Sequence, residues 1–266
     1  MIKDNNYFRK KAAAPNKNHR KLLALIMITC FLPFAALFLI TVTLLSETRV
    51  LSTLLTFLLS VIVFPVGVLG SCHVFMRVLR GEKPRFGMIL RYCNRNDFPV
   101  AILTGFIYLA IVQVFQIPGQ IAWIFPNDSV EAMILNIAGV FFYLASIWFY
   151  LRFAQLPFMF CLGFSQRPAS LFSKSFQNMK GNVGRLIKLS LSVMWWRILV
   201  SSFSCIALVV ALHTMLPPGV YGDLFVNLSV VAGIMIFLLL SPYPYLAIAG
   251  FVLNLISSET DAHEGK

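Results

Sequence analysis

Two arginines inside apolar surroundings are the residues of this chain best placed to do chemistry. Arg197 lies nine residues beyond Lys188 in a run with no acidic residue, about 13 Å further along a helix at 1.5 Å per residue. That depth is close to the middle of a hydrocarbon layer about 30 Å thick. An arginine there is unfavourable by roughly 2.5–3.5 kcal/mol on insertion scales, so a compensating partner is expected. Arg152 admits two placements. It caps a helix that ends near it, the preferred reading, or it lies well inside a helix that continues past Pro157 to Phe164. The chemistry open to both is recognition of an anion, with Trp195 and Trp196 as neighbours of Arg197. Snorkelling toward headgroups is the competing account, since tryptophans favour membrane interfaces.

Other chemistries lack their residues. The four histidines (His19, His73, His213 and His263) show no metal-binding spacing. The five cysteines (Cys30, Cys72, Cys93, Cys161 and Cys205) show no C-x-x-C pairing and read as small buried hydrophobes. No metal site, cofactor or catalytic residue is expected, because neither a nucleophile elbow, a phosphate-binding glycine loop nor paired carboxylates occur. The apolar runs hold no Asp or Glu, which lowers the prospect of proton- or sodium-coupled transport. With no carboxylate available, the arginines would need an anionic headgroup, or carbonyls freed at a proline break.

The elements that must position these residues are apolar helices. Of 266 residues, 59% are hydrophobic and 12% charged, and Lys and Arg outnumber Asp and Glu 22 to 10, for a net charge of +12. One soluble core could not bury that much apolar surface. Runs at Leu22–Leu45, Leu51–Met76, Phe98–Ile117, Ala132–Phe164, Leu189–Leu216 and Leu224–Ile256 are each long enough to cross a bilayer. The expected fold is therefore all-α, a polytopic membrane bundle of about six transmembrane helices between a basic tail (1–21) and a short C-terminal tail (257–266). The first run exceeds the h-region of a signal peptide and is read as a retained span. Pro118-Gly119 and Pro217-Pro218-Gly219 are expected to end the third and fifth runs, with Trp123 and Phe125 as aromatic anchors.

Positive charge fixes the expected orientation. It is concentrated in the N-terminal tail, in the segment from Arg77 to Arg95, and in the segment from Arg167 to Lys188. The alternate connections carry Glu47, Asp128, Glu131 and Asp223 and almost no Lys or Arg. The basic side is expected to be cytoplasmic, with both termini there, and the charge to serve topology and anionic lipids rather than nucleic acid.

The runs form three hairpins. Each second member contains a proline (Pro65, Pro157, and Pro242 with Pro244), spaced about 85–92 residues apart, as a recurring unit would be. These prolines are expected helix breaks. Two hairpins lead into a proline-containing basic link and then an amphipathic stretch, expected as an interfacial helix. In the first, Phe86, Ile89, Leu90 and Cys93 share one α-helical face, with Arg85, Arg91 and Arg95 elsewhere. In the second, Phe172, Phe176 and Met179 form the face, flanked by Lys174 and Lys180. The N-terminal tail is at most a degenerate third copy, because Pro15 interrupts it.

The second half also carries a resemblance. The order L-P-F-M-F around Pro157, S-K-S-F-Q-N-M-K-G from Ser173, L-I-K-L-S-L-S-V-M-W-W ending at Trp196, and S-P-Y-P-Y from Ser241 resembles a bacterial six-span membrane family of unknown function. That family is related to the membrane domain that accompanies some glycerophosphodiester phosphodiesterases. Pro118-Gly119 resembles it too, while Arg197 and the doubled P-Y depart from it. The resemblance implies a helical protein of the bacterial plasma membrane and transfers no catalytic residue. The expected function is accordingly non-enzymatic: engagement of anionic lipids or a membrane partner in envelope maintenance or export. The alternative is a transporter, or a permease subunit, for a small or anionic solute, using a cavity near the proline breaks.

Overall fold

The computed structural model describes residues 4–44, 49–122, 130–163, 167–215, 232–233, 236, 240 and 242–264. Glu47, Trp123, Phe125, Asp128, Pro217 to Gly219, Asp223 and most of 224–241 in the sixth run lie outside the described residues. All elements among those described are helical: α1 (Asn5–Leu44), α2 (Arg49–Phe64), a π-helical turn (Pro65–Gly70), α3 (Ser71–Leu79), a 3-10 helix (Phe86–Cys93), α4 (Phe98–Ala122), α5 (Val130–Arg152), α6 (Leu156–Cys161), α7 (Pro168–Asn178), α8 (Val183–Met215) and α9 (Pro242–Glu264). Two helical stretches, Phe57–Leu79 and Val183–Leu208, are long and apolar enough to cross a membrane, while Phe98–Ile111, Met133–Phe149 and Pro242–Ser257 are apolar but shorter.

Three helices extend past the ends of the apolar runs. The N-terminal segment is helical, since α1 runs without interruption from Asn5 through Pro15 and Pro33. Burial drives this. Phe8 and Ala12 are fully buried, and Phe8 meets Phe251 of α9 edge-on at 5.5 Å between ring centres. Burying one such aromatic is worth about 1.5–3 kcal/mol, comparable with the cost of a helix-interior proline. Helix α4 continues past Pro118-Gly119 to Ala122, and α9 continues to Glu264 across what composition marks as a tail.

Pro65 and Pro157 stand at changes of helix. Pro65 has no N–H for the carbonyl four residues back, and the helix widens there into the π-turn before α3 resumes it. Ahead of Pro157 the chain leaves the helical path: α5 stops at Arg152, and α6 starts at Leu156. Pro242 opens α9. Helices α3, α6 and α9 pack on one another, with Phe75 stacked on Tyr245 at 5.8 Å. Pro65, Pro157, Pro242 and Pro244 are all buried.

The first two hairpins end alike. After α3 the Gly81 N–H bonds the Val78 carbonyl and the Glu82 N–H bonds the Arg77 carbonyl, a Schellman closure with Gly81 at φ +91°. Helix α6 likewise ends at a left-handed glycine, Gly163 (φ +73°). Gly81→Ala is expected to cost about 1 kcal/mol through the Cβ penalty at positive φ, although nothing crowds the position. Thermal unfolding in detergent would measure it, and an unchanged midpoint would contradict the closure.

Candidate functional site

The segment after Gly81 folds as a 3-10 helix rather than an α-helix, and this changes which side chains point inward. With three residues per turn, Phe86, Ile89 and Tyr92 line up, not Phe86, Ile89, Leu90 and Cys93. Ile89 and Tyr92 are buried, whereas Phe86, Leu90 and Cys93 are exposed. The buried edge rests on the π-turn. Gly70 makes that contact possible: a Cβ there would stand 2.5 Å from the Ile89 carbonyl oxygen.

Tyr92 thereby reaches a polar junction. Its hydroxyl lies 3.2 Å from His73 Nδ1 and donates toward the Cys161 carbonyl at 3.3 Å, and the Cys161 thiol donates to the Leu69 carbonyl at 3.4 Å. Burial pushes the Tyr92 hydroxyl well above the usual phenol range, with the Cys161 contacts adding to the rise. It remains a neutral donor and acceptor. Above this junction opens a cleft of about 130 Å³ lined by His73, Met76, Arg77, Arg80, Cys161 and Leu162. Arg77 is paired with Glu82 at 2.6 Å. Arg80 is exposed and meets no carboxylate within ion-pair distance among the described residues.

The sequence offered no signal for this grouping. His73 reads as one of four scattered histidines, and Cys161 is 69 positions from Tyr92. The 3-10 period was the one feature that could have singled out Tyr92.

Arg197 occupies a different place. Its side chain is buried, at 9% exposure, and Nε donates to the Leu240 carbonyl at 2.7 Å. A terminal nitrogen donates to the Val193 carbonyl. The guanidinium sits 4.3 Å from the Trp196 ring centre and 5.2 Å from that of Tyr243. The partner four residues after Leu240 is Pro244, which has no N–H, so a helix through this stretch would leave that carbonyl unpaired. Arg197 supplies the missing donor and ties α8 to the start of α9. Trp195, by contrast, is 57% exposed.

Arg152 is the last residue of α5, and it joins that helix to α7. Its guanidinium lies 4.8 Å from both the Trp148 and Phe176 ring centres and donates to the Phe176 carbonyl at 3.3 Å. Ser175 donates back to the Arg152 carbonyl at 3.1 Å, and Gln155 donates to the Ser175 carbonyl at 3.0 Å. Helix α7 buries Leu171 and Ser175, with Met179 buried at its C-cap, while Phe172 packs at the margin and Phe176 is 37% exposed. The apolar face is therefore rotated slightly from Phe172, Phe176 and Met179.

The remaining basic residues point outward. Arg85, Arg91, Arg95, Lys174 and Lys180 are all exposed, and Arg91 reaches Asp97 at 3.4 Å. The structure thus separates two sets. Arg152 and Arg197 are engaged in internal helix joints, and the exposed set surrounds the two short helices with cationic surface. The chain matches no protein-family model, no curated protein and no solved structure.

Proposed function

We propose that the chain is a non-enzymatic integral membrane protein that engages anionic lipid headgroups through a basic cytoplasmic face, in envelope maintenance or export. In this reading the six apolar runs are six spans in three hairpins, both termini are cytoplasmic, and the membrane is a bacterial plasma membrane. The resemblance of the second half to the six-span family belongs to the same reading.

One observation carries it. The 3-10 helix and α7, which follow the first two hairpins, are docked by their apolar edges and have exposed cations on or beside them: Arg91 on the first with Arg85 and Arg95 flanking it, Lys174 on the second with Lys180 just beyond its end. The first of these cationic surfaces begins where the apolar stretch Phe57–Leu79 ends. Such a junction of apolar helix and basic surface lies where anionic headgroups lie, and each Lys or Arg near that surface is worth about 1 kcal/mol of attraction. The transporter reading has less behind it, because Pro65, Pro157, Pro242 and Pro244 are enclosed by packed side chains rather than facing open space.

The test is lipid selectivity in nanodiscs followed by native mass spectrometry. The wild-type protein is expected to retain phosphatidylglycerol over phosphatidylcholine, and the variant with all five exposed cations changed to Gln to lose that preference. Equal retention of both lipids by the wild type would refute the reading. Flux of an anionic solute through reconstituted vesicles would favour a transporter instead.

A further inference from the structure

The cleft over the Tyr92 junction was not legible from the sequence, and its composition is selective. We infer that it is a binding site for a single phosphate group, held chiefly by Arg80 and Arg77 with His73 at its inner wall. The inference deepens the lipid reading above and rests on it for one of two sources of phosphate, a lipid headgroup or the free anion.

Size comes first. About 130 Å³ is well under the roughly 300–1,000 Å³ of sites that enclose drug-sized molecules. It suits one tetrahedral oxyanion whose remaining substituent leaves through the open side. Charge is next. Two arginines line the space, and Arg80 has no carboxylate within ion-pair distance among the described residues. Arginine's planar fork of donors matches phosphate oxygens, and such charge-assisted bonds are short and strong. Arg77 already pairs with Glu82, so it would contribute its remaining donors while the carboxylate holds it in position.

The end of a helix is an unusual place for an anion, because its carbonyls carry partial negative charge. Here the carbonyls of Arg77 and Val78 are already closed by the Glu82 and Gly81 N–H groups, so they are not turned on the cleft unpaired. The inner wall is also fixed. Tyr92 occupies His73 Nδ1, which leaves Nε2 as the only ring nitrogen through which His73 could meet a ligand. Of the three remaining lining residues, Met76 and Leu162 are apolar and Cys161 belongs to the junction beneath. Position agrees with charge. The cleft lies where the apolar stretch Phe57–Leu79 ends, the level at which a lipid's phosphate would be found if that stretch spans the bilayer.

The experiment uses the full chain. Phosphatidate in phosphatidylcholine nanodiscs is titrated against the wild-type protein and variants, and inorganic phosphate is titrated against the same proteins in detergent. Three variants probe the cleft: Arg80→Gln, the Arg77→Gln/Arg80→Gln pair, and Leu162→Trp, which fills the space without changing charge. Lys17→Gln/Lys21→Gln is the charge-matched comparison, on exposed positions of α1. Saturable binding that weakens about tenfold or more in the arginine pair is expected. Leu162→Trp should weaken it similarly, and the α1 pair no more than about threefold, as screened surface charges would.

Binding of phosphatidate in that pattern assigns the phosphate to lipid. Binding of inorganic phosphate alone upholds the cleft, names the free anion as its ligand, and refutes the lipid reading. Selective lipid retention that both charge pairs weaken equally, with Leu162→Trp unaffected, overturns the cleft and leaves the lipid reading standing. No binding of either probe overturns both. Circular dichroism of each variant separates lost binding from lost fold, and Arg80→Gln, at an exposed position, supplies the answer if the pair unfolds.

Discussion

Replacing Arg197 with Leu is expected to destabilise the protein by about 2–4 kcal/mol, and restoring an N–H at position 244 is expected to recover a large part of that. Two opposing effects set the size. Leucine removes the cost of burying a guanidinium, which on its own would stabilise the chain. It also removes the donors to the Leu240 and Val193 carbonyls and the contacts with Trp196 and Tyr243. The second effect is expected to win because, in a helix through this stretch, position 244 offers the Leu240 carbonyl no N–H. Pro244 cannot supply one, and a carbonyl left unpaired in apolar surroundings costs about 1–3 kcal/mol.

Pro244→Ala tests that account directly. The new N–H can close the helical bond to Leu240, so Arg197→Leu/Pro244→Ala should be more stable than Arg197→Leu alone. A double-mutant cycle by thermal unfolding in one detergent is expected to give a coupling of about 1–2 kcal/mol. Strictly additive effects would show that Arg197 does not act through the carbonyl that Pro244 leaves free. A loss of phosphatidylglycerol retention in Arg197→Leu with no loss of stability would return the arginine to a direct lipid contact.

The second large effect is expected at Gly70. Gly70→Ala should cost several kcal/mol, while Gly87→Ala, on the 3-10 helix that packs there, should change stability by no more than about 0.5 kcal/mol. Alanine is intrinsically the better helix former by about 1 kcal/mol, and Gly70 sits at ordinary helical angles, so propensity alone would make the substitution stabilising. The sign is decided by space. A Cβ at Gly70 would lie 2.5 Å from the Ile89 carbonyl oxygen and 3.1 Å from its Cα, and backbone cannot rotate away as a side chain can. Relief requires the 3-10 helix to lift from the π-turn, which would pull Tyr92 away from His73 and open the cleft. A Cβ at Gly87 would meet nothing within 4 Å. Hydrogen exchange of residues 86–93 together with the unfolding midpoint would check both, and equal midpoints for the two variants would mean the contact with Ile89 is not rigid.

Much of the architecture was legible because its causes are local. An apolar run of about 20 residues can satisfy its backbone only as a helix wherever water is scarce. Pro65 and Pro157 mark discontinuities because a missing N–H acts within one turn of the chain. The clustering of Lys and Arg after the first and second hairpins is a property of composition and needed no fold to see. Even the carbonyl released by a proline was foreseeable as a class of partner for a buried arginine.

The tertiary structure alone decided which groups those local features meet. That Arg197 pairs with Leu240, 43 positions away, depends on α8 lying against the start of α9. The choice of Tyr92 over Leu90 as the inward residue depends on a three-residue turn, stabilised by a glycine on another element. Phe8 and Ala12 turn a basic tail into the first turns of α1 only because α9 offers them a surface. His73, Arg77 and Arg80 border a cleft because α6 brings Cys161 and Leu162 across from the second hairpin. Periodicity and charge specify what each segment exposes. They carry no information about which distant face fills it, since that is settled by packing among elements far apart in the chain.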